Sequence, residues 1–184
     1  KPRSPIMKLK WKVENPDKDV TEYDLVVRRE GEALWRTIRT GVAPLTATEY
    51  EWNTETFPDG YYRLRVTASD HRANSADRAL STHKTTPLIL VDNEKPHIAG
   101  ININYPNGAA RATDAMSSIS EMAYSVDDGP WQVGATQDGL FDELTEFLRI
   151  ALADDLKPGE HTLSIRVADE AGNIGSTSTS FRVR

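Results

Sequence analysis

The chain of 184 residues carries 22 Lys plus Arg against 28 Asp plus Glu, a net charge of −6, and no cysteine. These numbers exclude a disulfide framework and thiol chemistry, and the acidity argues against a general nucleic-acid grip, which needs a basic face. No apolar run approaches the ~18 residues that span a bilayer as a helix, and a chain that opens on Lys1 with no secretory apolar segment after it reads as a piece of a longer protein.

Period-two alternation marks half-buried strands. In chain order, Leu9, Trp11 and Val13 alternate with Lys8, Lys10 and Lys12. Tyr23, Leu25 and Val27 form a second set, and Tyr50 and Trp52 a third. Tyr62, Leu64, Val66 and Ala68 then alternate with Arg63, Arg65 and Thr67. Further on, Met122, Tyr124 and Val126 run into Asp127-Asp128-Gly129-Pro130, after which Trp131 and Val133 return, a hairpin signal. Residues 140–152 are mixed. Phe141, Leu144, Leu148 and Leu152 have helical spacing, whereas Leu148, Ile150 and Leu152 have strand spacing. The reading taken is a strand over 146–152, with a helical turn at 140–145 ahead of it. Leu163, Ile165 and Val167 alternate, 169–173 turns the chain, and Phe181 and Val183 close it. Short strands with turns every ~8–12 residues predict an all-β protein of two β-sandwich domains in tandem.

The tandem is written into the sequence as a repeat. Aligning Gly60 with Gly159, an offset of 99, pairs Tyr62 with His161, Leu64 with Leu163, Val66 with Ile165 and Asp70 with Asp169. A repeat of this period is domain-sized. The run 88–91 ends in Asp92-Asn93-Glu94-Lys95-Pro96, where proline stiffens a short joint. The expected domains are therefore 1–93 and 96–184. Residues 1–95 hold 16 basic and 15 acidic groups, net +1, and residues 96–184 hold 6 and 13, net −7.

The first half resembles a fibronectin type III domain. Trp11 stands where that family places its strand-B tryptophan, and Tyr23 where it places a strand-C aromatic. Phe57-Pro58-Asp59-Gly60-Tyr61-Tyr62 looks like the corner before strand F, with Tyr62 as the corner tyrosine. Only ten residues precede Trp11, which leaves little room for a strand A. The second half resembles bacterial Ig-like modules, through Tyr124-Ser125-Val126-Asp127-Asp128-Gly129-Pro130-Trp131, Pro158-Gly159-Glu160-His161 and Asp169-Glu170-Ala171-Gly172-Asn173. His161 replaces the corner tyrosine there, which implies a looser corner. Together the halves resemble the C-terminal region of large bacterial extracytoplasmic proteins, often those with β-propeller repeats upstream. That resemblance implies a periplasmic, secreted or cell-surface setting.

The residues offer three kinds of site. For catalysis, His71, His83, His97 and His161 fall in no metal-ligand or nucleophile motif. The doublets Asp127-Asp128, Asp142-Glu143, Asp154-Asp155 and Asp169-Glu170 read as solvated turns rather than paired catalytic carboxylates. For carbohydrate, Trp11, Trp35, Trp52 and Trp131 supply ring area. Trp11 and Trp52 fall in phase with the core, so this reading depends on Trp35 or Trp131 lying exposed beside other rings. For a cation, Asp92, Asn93 and Glu94 at the domain joint should meet Asp114 at a strand end and Asp169, Glu170 and Asn173 at a turn. That is a hard-oxygen set of the kind calcium takes. Asp and Asn also bond their own backbone in Asx-turns, and turn chemistry is the expected state of these residues, with calcium as its competitor. The function expected is a non-enzymatic structural or protein-interaction module, a spacer or docking segment. A carbohydrate-binding accessory module is the alternative.

Overall fold

The computed structural model describes residues 4–39 and 43–184. It is an all-β protein of two β-sandwiches, and the chain divides into two compact units, one over Pro5–Val91 and one built on Asp92–Arg184.

In the first unit, β1 (Ile6–Lys10) lies antiparallel to β4 (Glu49–Asn53), and the two form one sheet. The other sheet runs in the order β3 (Arg36–Thr37), β2 (Glu22–Arg29), β5 (Gly60–Ser69) and β6 (Ser81–Thr85). A further strand, β7 (Ile89–Val91), pairs with the start of β5. Alternation sends Leu25, Val27, Tyr62 and Leu64 inward, where they meet Leu9 and Trp52 from the opposite sheet. Trp52 is 1% exposed and meets Phe57 edge-on at 5.2 Å and Tyr62 at 6.0 Å.

The register Lys10↔Glu49 is the last of the β1–β4 ladder. Trp11 and Val13 therefore fall beyond the strand that the alternation had carried them into. Trp11 is half-buried, edge-on to Tyr23 at 5.2 Å, and Val13 is exposed. The fully buried tryptophan of this core is Trp52.

The second unit stacks two four-stranded sheets. One has the order β11 (Gln132–Val133), β10 (Ile119–Val126), β14 (Gly159–Asp169), β15 (Ile174–Val183). The other has the order β12 (Ala135–Thr136), β13 (Thr145–Ala151), β9 (Asn107–Thr113), β8 (His97–Asn104). Ile119, Met122, Tyr124, Leu163, Ile165 and Val167 from the first sheet meet Ala110, Ala112, Leu148 and Ile150 from the second. The ambiguous segment resolves as strand from Thr145, and 140–145 forms no helical turn. The backbone N–H groups of Asp142 and Glu143 donate to Glu146 Oε1, both at 3.0 Å, and the Leu140 carbonyl, where the first bond of such a turn would end, accepts the Thr136 hydroxyl at 2.7 Å.

Both units turn the same corner. Gly60 and Gly159 have φ of 148° and 146°, a region side chains rarely enter. Two residues later Tyr62 donates its hydroxyl to Pro58 O at 2.7 Å. At the matching position His161 reaches Lys157 O through Nε2, also at 2.7 Å, and Asp127 Oδ2 through Nδ1 at 2.6 Å. The histidine corner is not looser, since it keeps the bond to the fourth residue back and adds a carboxylate.

Candidate functional site

Three chain segments of the second unit bring carboxylates together. Asp92 opens the unit, Asp114 follows β9 directly, and Asp169 is the last residue of β14. One carboxylate oxygen from each lies within 4.8 Å of the others. Asp92 is 3% exposed and Asp169 2%. Sheet pairing explains why the three converge. β9 and β14 belong to opposite sheets, and both end at the same edge of the sandwich as the turn of 169–173.

Turn chemistry is present, as expected. Asp92 Oδ1 accepts from the N–H of Glu94 at 3.2 Å. Asp114 Oδ1 accepts from the N–H groups of Met116 and Ser117 at 2.9 and 3.0 Å. Asp169 Oδ1 accepts from the N–H of Asn173 at 2.8 Å. The second oxygens fare differently. Asp92 Oδ2 accepts the Ser117 hydroxyl at 2.5 Å, and Asp169 Oδ2 accepts the Asn173 amide at 2.8 Å. Asp114 Oδ2 is buried with no hydrogen-bond partner. An orphaned buried carboxylate oxygen beside two further carboxylates is costly, because the charges repel and the desolvation is not repaid.

A calcium ion fits this donor set. At the usual 2.3–2.6 Å, oxygens on opposite sides of calcium stand about 4.6–5.2 Å apart, so the observed spread falls within one coordination shell. The seven residues expected to gather divide by role. Asp92, Asp114 and Asp169 bring the carboxylates together. Asn173 donates its amide N–H groups to Asp169 Oδ2 and, at 3.2 Å, to the Asp92 carbonyl, so it holds two of them in place. Glu94 is exposed and serves Asp92 through its backbone N–H, and Asn93 is half-buried beside it. Glu170, also exposed, donates its backbone N–H to Ser118 O at 2.9 Å. Sequence reasoning missed Ser117, which is buried and spans Asp92 and Asp114. Its signal was available in Asp114-Ala115-Met116-Ser117, where an aspartate caps the N–H groups two and three residues on.

The ring-based reading meets a different geometry. Trp131 is 45% exposed, but its face is covered by the Arg166 guanidinium, 4.4 Å from the ring centroid. Trp35 is half-buried, with the guanidinium carbons of Arg28 and Arg65 at 5.0 and 4.1 Å from its ring centroid. A groove of about 740 Å³ beside Asp169 is lined by Ser120, Glu121, Arg166 and Glu170 among others, with no aromatic ring in its wall.

Two sandwiches, the second carrying a three-carboxylate centre, define the class. No protein-family model matches the chain. It is 31% identical over 90 residues to Halomucin of Haloquadratum walsbyi, a match covering 45% of this chain and 1% of that protein. The chain thus spans a very small part of that curated relative. Among solved structures it is similar to the chicken interferon gamma receptor alpha chain, at 13% identity and a TM-score of 0.39, covering 97% of this chain and 92% of that one. It is also similar to the FN1–FN3 domains of chicken CNTN1, at 11% identity and a TM-score of 0.40, covering 100% of this chain and 64% of that one.

Proposed function

We propose that this chain is a non-enzymatic structural or protein-interaction module of a larger bacterial extracytoplasmic protein, and that its second sandwich is locked by a calcium ion among Asp92, Asp114 and Asp169. The observation that carries the calcium reading is the buried, partnerless Oδ2 of Asp114, a residue whose carboxylate lies within 4.8 Å of two others. An extracytoplasmic setting suits it, because extracellular modules bind calcium at about 10⁻⁴–10⁻³ M, which a site of three carboxylates and water can reach. The module reading is supported by two separate sandwich cores and by the partial similarity to Halomucin. The carbohydrate alternative is not favoured, since arginines rather than neighbouring rings cover the faces of Trp35 and Trp131.

Thermal melting of the full chain in calcium and in chelator tests the cation. A ligand that binds only the native state at 100 times its Kd adds about 2.7 kcal/mol, or roughly 10–20 °C for a domain of this size. Asp114→Asn keeps the oxygen that caps Met116 and Ser117 and removes the charge. It is expected to abolish the calcium response while raising the melting temperature in chelator, because it relieves the repulsion. Identical melting in calcium and chelator would overturn the calcium reading and leave the module reading standing.

A further inference from the structure

We propose that the outer face of the five-stranded sheet in the first unit binds an oxyanion, a sulfate, phosphate or carboxylate group, between Arg28 and Arg65 on the ring of Trp35. The inference is independent of the calcium reading.

The placement follows from strand alternation. Leu25 and Val27 of β2, and Tyr62 and Leu64 of β5, are buried in the core. Arg28, Arg63 and Arg65 therefore project to the other face, and the register sets Arg28 directly opposite Arg63 and Val26 opposite Arg65. Trp35, just ahead of β3, lies over this face. The Arg28 guanidinium carbon is 5.0 Å from its ring centroid and that of Arg65 is 4.1 Å away. Arg63 has a carboxylate partner, Glu30, at 3.4 Å. Among the described residues, neither Arg28 nor Arg65 is in a salt bridge, and Arg65 Nε is buried with no hydrogen-bond acceptor. Of these three guanidinium groups, only that of Arg63 is in a salt bridge among the described residues.

Like charges set opposite one another across a sheet repel, and a partly desolvated cation without an acceptor is costly. An anion seated there relieves both. The chemistry of the stack also suits an oxyanion. A guanidinium lying over an indole uses its π-face and leaves its in-plane N–H fork available, and that fork matches two oxygens of a carboxylate, sulfate or phosphate. The ring restricts both long side chains before any ligand arrives, so less freedom is lost on binding. Chloride offers no pair of oxygens for the fork.

Nitrogen–proton correlation spectra of the full chain test this, read at the Trp35 indole N–H and the Arg28 and Arg65 Nε–H signals. The probes are sodium phosphate, sulfate and acetate, each against sodium chloride at equal ionic strength. A saturable shift of these signals in at least one oxyanion series, absent in chloride, is expected, and the series that saturates lowest identifies the group. Arg65→Lys keeps the charge and loses the fork, and is expected to weaken the interaction roughly tenfold. Arg28→Lys is the second variant should the first disturb the sheet. Shifts that rise without saturation and match those in chloride would overturn the proposal. So would lysine variants that bind as tightly as the parent, since attraction to charge alone would then explain the shifts.

Discussion

Both ring nitrogens of His161 face groups that only accept. Lys157 offers a carbonyl and Asp127 an ionised carboxylate, so both bonds are made at once only when the ring carries two protons. The carbonyl of Lys157 first, and then Asp127, raise the histidine pKa above its ordinary 6.5. Asp127 is lowered below its ordinary 3.8, first by the N–H of Thr162 and then by His161. Other charges near the corner are Glu160 and its partner Arg182, 3.6 Å apart on the exposed side. A histidine whose pKa is higher folded than unfolded contributes stability that is complete below 6.5 and is lost as the pH rises through the folded value. The depressed aspartate contributes above 3.8 and loses its share as the pH falls through its own folded value. The clamp is therefore strongest between those two ordinary values. Denaturant unfolding from pH 5 to pH 9 should show a decline that His161→Phe removes. A proton titration of the His161 ring with a midpoint at or below 6.5 would contradict the geometry. The first unit is the internal comparison, because burial raises the pKa of Tyr62 above 10.0 and its corner does not titrate in this range.

Strands were legible where one face is dry, as in β5 through Leu64 and β14 through Val167, where buried residues alternate with more exposed ones. The pattern misled where local alternation outran its partner. Lys8 to Val13 alternates evenly, but the β1–β4 register ends at Lys10; Trp11 donates one more N–H, to Thr48 O at 3.1 Å, and packs against the core only half-buried. Trp52→Ala should cost the first unit about 3–5 kcal/mol, the usual loss for a buried large aromatic. Trp11→Ala should cost distinctly less, and equal costs by denaturant unfolding would mean that Trp11 is a full core member. At 140–145 the helical spacing lost because the strand from Thr145 pairs along β9 and the Leu140 carbonyl is taken by Thr136, contacts that spacing alone does not reveal. The hairpin between β10 and β11 was legible from Asp127-Asp128-Gly129-Pro130. Its two aspartates take φ of 49° and 57°, where a β-carbon is strained. Asp127 is held there by Thr162 and His161, whereas Asp128→Gly should raise stability by up to about 1 kcal/mol.

The offset of 99 that pairs Gly60 with Gly159 and Tyr62 with His161 corresponds to one corner built twice, each within its own core. Among the described residues, the first core buries eight hydrophobic side chains, from Leu9 to Val91, and the second buries thirteen, from Ala110 to Val183. Stability rises with apolar area removed from water, so the first unit should melt at the lower temperature. The acidic cluster was legible as a gathering at the joint, because Asp92 leads into the second unit and Asp114 and Asp169 end strands that the alternation marks. Which of the seven candidates bring their carboxylates together was not, since that depends on β9 and β14 ending together, on a serine hydroxyl and on a single asparagine amide. The two units then make one joint prediction for calorimetry of the full chain. Trp52→Ala should lower the first transition and leave the calcium-induced rise of the second intact. Asp114→Asn should remove that rise and leave the first transition where it was. Substitutions that share no partner add to within about 0.3–0.5 kcal/mol, so the double variant should show both effects at full size. A calcium response that Trp52→Ala reduces, or one transition that both substitutions move together, would mean that the two cores unfold as one.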